Sequence, residues 1–247
     1  MKMMKKITLI LTALAALAAF NSCTDTDCIE GSRTLAYTPY TDLAPFNKIV
    51  LELPGSVVFE SAASDTNLLV TADDNIMQYV DIRVENSTLF ISSTDDDISL
   101  CPSRLRFNVF STEELNSVDI LGSGSFYTED SLAASDFYIS ITGSGKTDIE
   151  NLETSDFTCN ITGSGQIVAS GTADELASTI TGSGEIDLFD MLIKNANVTI
   201  EGSGNYDLWV SDELTAAIIG SGTIIYKGAP TISSNISGSG VIKQHDN

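Results

Sequence analysis

ITGSG stands at Ile141–Gly145, again at Ile161–Gly165 and again at Ile180–Gly184. Its central Gly-Ser-Gly begins at Gly122, Gly143, Gly163, Gly182, Gly202, Gly220 and Gly238, at intervals of 18 to 21 residues. A single copy would carry no weight, but seven at so steady a period mark a stacked-repeat architecture.

Aligning the copies on their first glycine shows what each repeat is. Two positions earlier stand Ile120, Ile141, Ile161, Ile180, Ile200, Ile218 and Ile236. Four earlier come Val118, Ile139, Cys159, Ser178, Val198, Ala216 and Ser234, all apolar or small. Six earlier come Asn116, Phe137, Phe157, Leu176, Ala196, Leu214 and Ile232, and four later Phe126, Thr147, Ile167, Ile186, Tyr206, Ile224 and Ile242. The positions between are polar, as at Ser140, Thr142, Asn160, Thr162, Thr179 and Thr181. Alternation with period two is the pattern of a β-strand with one buried face. One such rung cannot bury its apolar side alone. Rungs stacked at about 4.8 Å can, and the isoleucines then form an internal ladder. Both glycines fall on the inward parity, so the motif is expected to be a corner where no Cβ fits and positive φ is accessible. The serine between them is expected to point outward.

Isoleucine-x-Gly-Ser-Gly rungs behind a lipoprotein-type leader resemble the putative auto-transporter adhesin, head GIN domain family, over roughly Phe46 to Gln244. The resemblance implies a β-helix-like solenoid, and it transfers no catalytic residues. Leu68–Thr71, Asp81–Val84 and Leu89–Ser92 fit that family's order of a Leu-rich strand followed by a hairpin. The fold expected is therefore all-β: a parallel β-helix-like solenoid of about seven rungs after an irregular strand-rich section. Residues 1–22 are expected to be a signal peptide and 23–45 a tether. Residues 46–247 are expected to form a single domain, irregular over 46–114 and regular over 115–247. Within the irregular part, Gly55-Ser56 is a candidate degenerate corner and Glu85–Thr88 a hairpin turn. Asp73–Tyr79 is a candidate helical turn capped by Asp73 or Asp74.

The leader has a basic start, Met1–Lys6, and an apolar stretch, Ile7–Phe20, too short to span a bilayer as a helix. Phe20-Asn21-Ser22-Cys23 resembles a lipobox and points to Cys23 as a lipidated residue that attaches the protein to a membrane. The alternative is ordinary cleavage near Ala18. The acidic run Thr24–Asp27 resembles tags that send lipoproteins to the outer face of the outer membrane. Of the other cysteines, Cys159 falls on inward parity and is expected to be buried. Cys28 and Cys101 are left, and an oxidising compartment would allow them to pair.

The chain carries 34 acidic and 12 basic residues, a net charge of −22. Such a surface repels nucleic acid. With a single histidine, His245, and no CxxC, the sequence gives no basis for a zinc site, a haem or a Ser-His-Asp triad, and no cofactor is expected. The glycines lack the third member and the helix of a dinucleotide fingerprint. Asp148, Asp187 and Asp207 share one column, but Val168 interrupts it, and the period is not that of a calcium-binding roll. A carbohydrate-active enzyme on a β-helix is the catalytic alternative. The near-constant rung length leaves little chain for the walls of a cleft, so no catalytic residues are assigned.

What remains is an outward ridge. Thr142, Ser144, Thr162, Ser164, Thr181 and Ser183 are the candidate ligand-contacting residues, with Tyr127 and Tyr138 on outward parity as possible sugar-stacking groups. The sequence thus points to a non-catalytic binding or adhesion module of the cell envelope, with a glycan or a surface protein as partner. An envelope spacer is the other non-catalytic alternative. The last rung, Ile232–Ile242, is followed by no cap helix, so weak end-to-end self-association is expected as salt screens the net charge.

Overall fold

The computed structural model describes residues 28–95 and 97–245. The leader and Cys23, with its expected lipid, lie outside the described residues. Long parallel strands dominate: Leu132–Gly143, Lys146–Gly163, Gln166–Gly182, Glu185–Gly202 and Asn205–Gly220 follow one another in register. Within a rung such as Lys146–Gly163 the pairing breaks after Ile149 and again at Ser155, which bends the strand into three successive walls. The stack ends at Thr223–Lys227, Thr231–Gly238 and Val241–Gln244.

The seven corners pair directly, from Gly122 with Gly143 through to Gly220 with Gly238. So do the ladder isoleucines, and the ladder is longer than the repeat. Leu51 pairs with Ile120 on one side and with Ile91 on the other, which adds two rungs with no Gly-Ser-Gly. From Ile91 to Ile218 every member is buried, and only Ile236 in the last rung is substantially exposed.

The two glycines of a corner do different jobs. In each described copy the first has positive φ, +123° at Gly163, where an added Cβ would lie 2.4 Å from the Gly143 carbonyl oxygen. It is half-exposed, not inward as the parity implied, because the backbone flips there and ends the alternation. The second, such as Gly165, is buried and is the one that points inward.

The irregular section closes the N-terminal end. Lys48–Leu51 and Ser56–Glu60 flank Gly55 and pair in parallel with Ser117–Gly122 and Ser125–Thr128, so Gly55-Ser56 is indeed a degenerate corner. Below them lie Thr88–Ser93 and Leu105–Phe110, also parallel. Antiparallel strands then finish the stack. Val80–Glu85 pairs with Thr88–Ser93 through a two-residue turn at Asn86 and Ser87, both with positive φ. Leu68–Asp73 pairs with Leu105–Phe110, and Leu35–Tyr40 lies outermost on Leu68–Asp73.

Two expectations change here. The expected tether is partly strand: Leu35–Tyr40 is docked, and Ile29–Glu30 pairs with Leu100–Cys101 beside a Cys28–Cys101 disulfide. An edge position tolerates Pro39, whose missing N–H would break a central strand. The expected helical turn is a short 3-10 turn, Met77–Tyr79, without a side-chain cap. Asp73 is buried and employed elsewhere. Its carboxylate accepts from the Ser103 hydroxyl at 2.6 Å and from the N–H groups of Arg33, Ser103 and Arg104 at 2.8, 2.8 and 3.2 Å.

Candidate functional site

The ridge follows from the corner. At Ser144, Ser164 and Ser183 the backbone N–H donates at 2.8 Å to the first glycine of the rung below, so the turn keeps its ladder of hydrogen bonds and leaves the side chain free. The threonines lie two residues earlier, where strand alternation points them away from the core. Thr142 pairs with Thr162 and Thr162 with Thr181. All six side chains are exposed. They form two parallel rows of hydroxyls at the inter-strand spacing of about 4.8 Å. β-Branched threonines suit such a pleated surface and stand in few rotamers, so the row is ordered before any ligand arrives.

The threonine row has apolar and charged flanks. Leu121 precedes it, and Glu201, Ile219 and Ser237 continue it towards the C-terminal end. At its N-terminal end the ridge runs into a hollow of about 360 Å³ between Ser123 and the loop residues Asp95, Ile98 and Ser99. Tyr138 and Tyr127 are both outward, but one lies on the wall that enters the corner and the other on the wall that leaves it. They do not form one stacking platform.

A second exposed cluster escaped sequence reasoning. Lys227 Nζ sits 4.5 Å from the ring centre of Trp209 and 5.4 Å from that of Phe189, whose ring meets His245 edge-on at 5.2 Å. The lone tryptophan was the available signal, and the 18-residue interval from Trp209 to Lys227 sets them side by side. Nearby, Asp187 and Asp207 are neighbours, as the column required, while Val168 keeps Asp148 apart. Burial raises the Asp207 carboxyl above the ordinary range, and Asp187 and Glu185 push the same way, against His245 and Lys243. Among the described residues no three His, Cys, Asp or Glu side chains are placed to hold a metal ion.

Inside, Cys159 is fully buried, and burial pushes its thiol up to about 12. Ser178 on the next rung donates to the Cys159 carbonyl and meets the Tyr206 hydroxyl at 2.8 Å. This satisfies polar groups within the core and forms no opening to solvent.

Known proteins with this architecture match nearly the whole domain. A putative adhesin from Bacteroides fragilis is 27% identical with a TM-score of 0.80, over 88% of this chain and 100% of its own. A putative lipid binding protein from Parabacteroides distasonis is 26% identical with a TM-score of 0.75, over 88% of this chain and 99% of its own. A putative adhesin from Parabacteroides merdae, at 23% identity and a TM-score of 0.70 over 89% of this chain and 100% of its own, shares the fold. The chain matches no curated protein. The model of the putative auto-transporter adhesin, head GIN domain, matches residues 45–230. With three-quarters of its length under that match and its corners stacked in register, the chain belongs to the putative auto-transporter adhesin, head GIN domain family.

Proposed function

We propose that this protein is a non-catalytic binding module of the cell envelope whose hydroxyl ridge holds an extended glycan. The observation that carries the proposal is the register of Thr142, Thr162 and Thr181 beside Ser144, Ser164 and Ser183. Hydroxyls both donate and accept, which is what a chain of sugar hydroxyls needs. Their spacing is close to the rise of one pyranose in an extended chain. A flat surface of this kind binds through many weak contacts and suits adhesion, and the adhesin names of related proteins agree with it. Attachment through a lipid on Cys23 would display the ridge at the outer membrane.

The lipid-binding name carried by one relative suggests a second ligand class. The interior gives it little support, because the ladder and its neighbouring columns are packed with buried side chains. A glycan array probed with the chain from Cys28 onward tests the proposal. Binding to linear glycans is expected, and an array without signal would overturn it.

A further inference from the structure

The two ends of the solenoid differ. The N-terminal end is closed by the antiparallel strands Leu35–Tyr40, Leu68–Asp73 and Val80–Glu85. At the other end Thr231–Gly238 pairs with Asn205–Gly220 on one edge, and its second edge has no partner among the described residues. Every residue of that strand is exposed. Ile232 and Ile236 continue the interior columns yet remain 40% and 42% exposed, whereas Leu214 and Ile218, one rung earlier, are at 0%.

Charge singles out the same end. From Leu214 to His245 the sequence contains no Asp or Glu, in a chain that has 34 of them. Thr231–Gly240 carries no charged residue at all. Acidic surfaces of two copies repel one another, and this rung is where two copies can meet without opposing carboxylates. Another strand is the partner that would satisfy this edge in the way the rungs satisfy one another. A lipid surface would leave the N–H and C=O groups of the edge unsatisfied.

The edge is complementary to itself. Ile232-Ser233-Ser234-Asn235-Ile236 is symmetric about Ser234 in its apolar and polar positions. If two copies pair antiparallel about Ser234, Ile232 of each faces Ile236 of the other. Both then keep their inward parity and the apolar interior runs through the joint.

We propose that this rung is a homophilic docking edge, through which two copies join end to end by antiparallel pairing of Thr231–Gly238. Because the other end is closed, assembly stops at a twofold dimer. Leu35–Tyr40, among the first described strands, lies at the closed end, so the dimer carries its two copies of that strand at opposite ends. Resting on the proposed attachment at Cys23, this would join copies on two facing membranes. The dimer itself depends neither on that attachment nor on the glycan ridge.

Sedimentation velocity of the chain from Cys28 onward, which contains every described element, tests this. A dimer is expected whose population rises with protein concentration and with salt. Ser234→Asp sets two carboxylates face to face on the axis and should give a monomer that melts where the wild type does at concentrations too low for the dimer. Ser234→Cys should form a disulfide-linked dimer on mild oxidation, since directly opposed residues lie within disulfide reach. Ser211→Cys, exposed but on the preceding rung, should not. A wild-type monomer under all conditions would overturn the proposal, as would a dimer or longer ladder that Ser234→Asp leaves intact. A wild-type chain that stays monomeric yet binds glycan would remove this inference alone.

Discussion

The Cγ2 methyl of Ile141 occupies the space that a Cβ on Gly165 would need: the two would lie 2.7 Å apart. The same relation links Ile120 with Gly145 and Ile161 with Gly184. Ladder and corner are therefore one device, in which each isoleucine packs against the second glycine of the next rung's corner. That is why both recur together at one period.

Substitution at the corner should separate three roles. Gly165→Ala forces a methyl against a packed methyl and should cost about 1–3 kcal/mol. Gly163→Ala should cost more than about 1 kcal/mol, through positive φ and the backbone contact. Ser164→Ala, exposed between them, should stay within about 0.5 kcal/mol. Denaturant midpoints measure all three. The pair Ile141→Ala with Gly165→Ala should be less than additive, because removing Cγ2 makes room for the new methyl.

Inward and outward positions one residue apart should respond very differently. Ile161 is 1% exposed and flanked by rungs on both sides, so Ile161→Ala should cost about 2–5 kcal/mol. Its neighbour Thr162 faces solvent, and Thr162→Ala should cost well under ~1 kcal/mol. Equal shifts in midpoint would contradict the assignment of faces.

The Cys28–Cys101 bridge closes a loop of 73 residues, and chain entropy makes such a crosslink worth about 4 kcal/mol. Replacing both by serine should lower stability by an amount of that order. It should also raise hydrogen exchange in Ile29–Tyr40 first. In the chain from Cys28 onward, Cys159 is the only free thiol. Thiol labelling of the native protein should give no signal, and unfolding without reductant should reveal one group.

Acid should act through Asp73. The Ser103 hydroxyl, with the N–H groups of Arg104, Arg33 and Ser103, holds its carboxyl below the usual carboxylate range, against the opposing effect of burial. A depressed native pKa adds stability that is fully present above the unfolded value of about 3.9 and is lost as pH falls through the native value. Asp73→Asn should lower Tm at neutral pH, since an amide cannot accept from all these donors. It should also flatten the acid limb of the stability curve below about pH 4. Asp207, raised by burial and by Asp187, has the opposite sign, so Asp207→Asn should raise Tm at neutral pH. Thermal melts across pH read both.

The regular rungs were legible because each places one isoleucine, one glycine pair and one alternating run at fixed offsets. Periodicity could not see that the first glycine flips the backbone, since parity counting assumes unbroken pleating. The closed end was harder to read. Leu51 and Ile91 belong to the ladder, but the chain passes from Lys48–Leu51 to Thr88–Ser93 and then back across to Ser117–Gly122, so neighbours in space are not neighbours in sequence. Leu35–Tyr40 read as tether because its partner among the described residues is a strand some thirty residues on and its pattern includes a proline. The ridge was legible from outward parity alone. The Trp209–Lys227 contact needed the exact interval between two rungs.

The ridge is the centre of the functional account, and one variant tests it directly. Replacing Thr142, Thr162 and Thr181 together by valine keeps the β-branched shape and strand preference and removes only the hydroxyls. The triple variant should melt near the wild-type temperature, since all three side chains are exposed. Calorimetric titration with the linear glycan that gives the strongest array signal should show affinity reduced at least tenfold. Unchanged affinity in a folded triple variant would contradict the ridge as the binding surface.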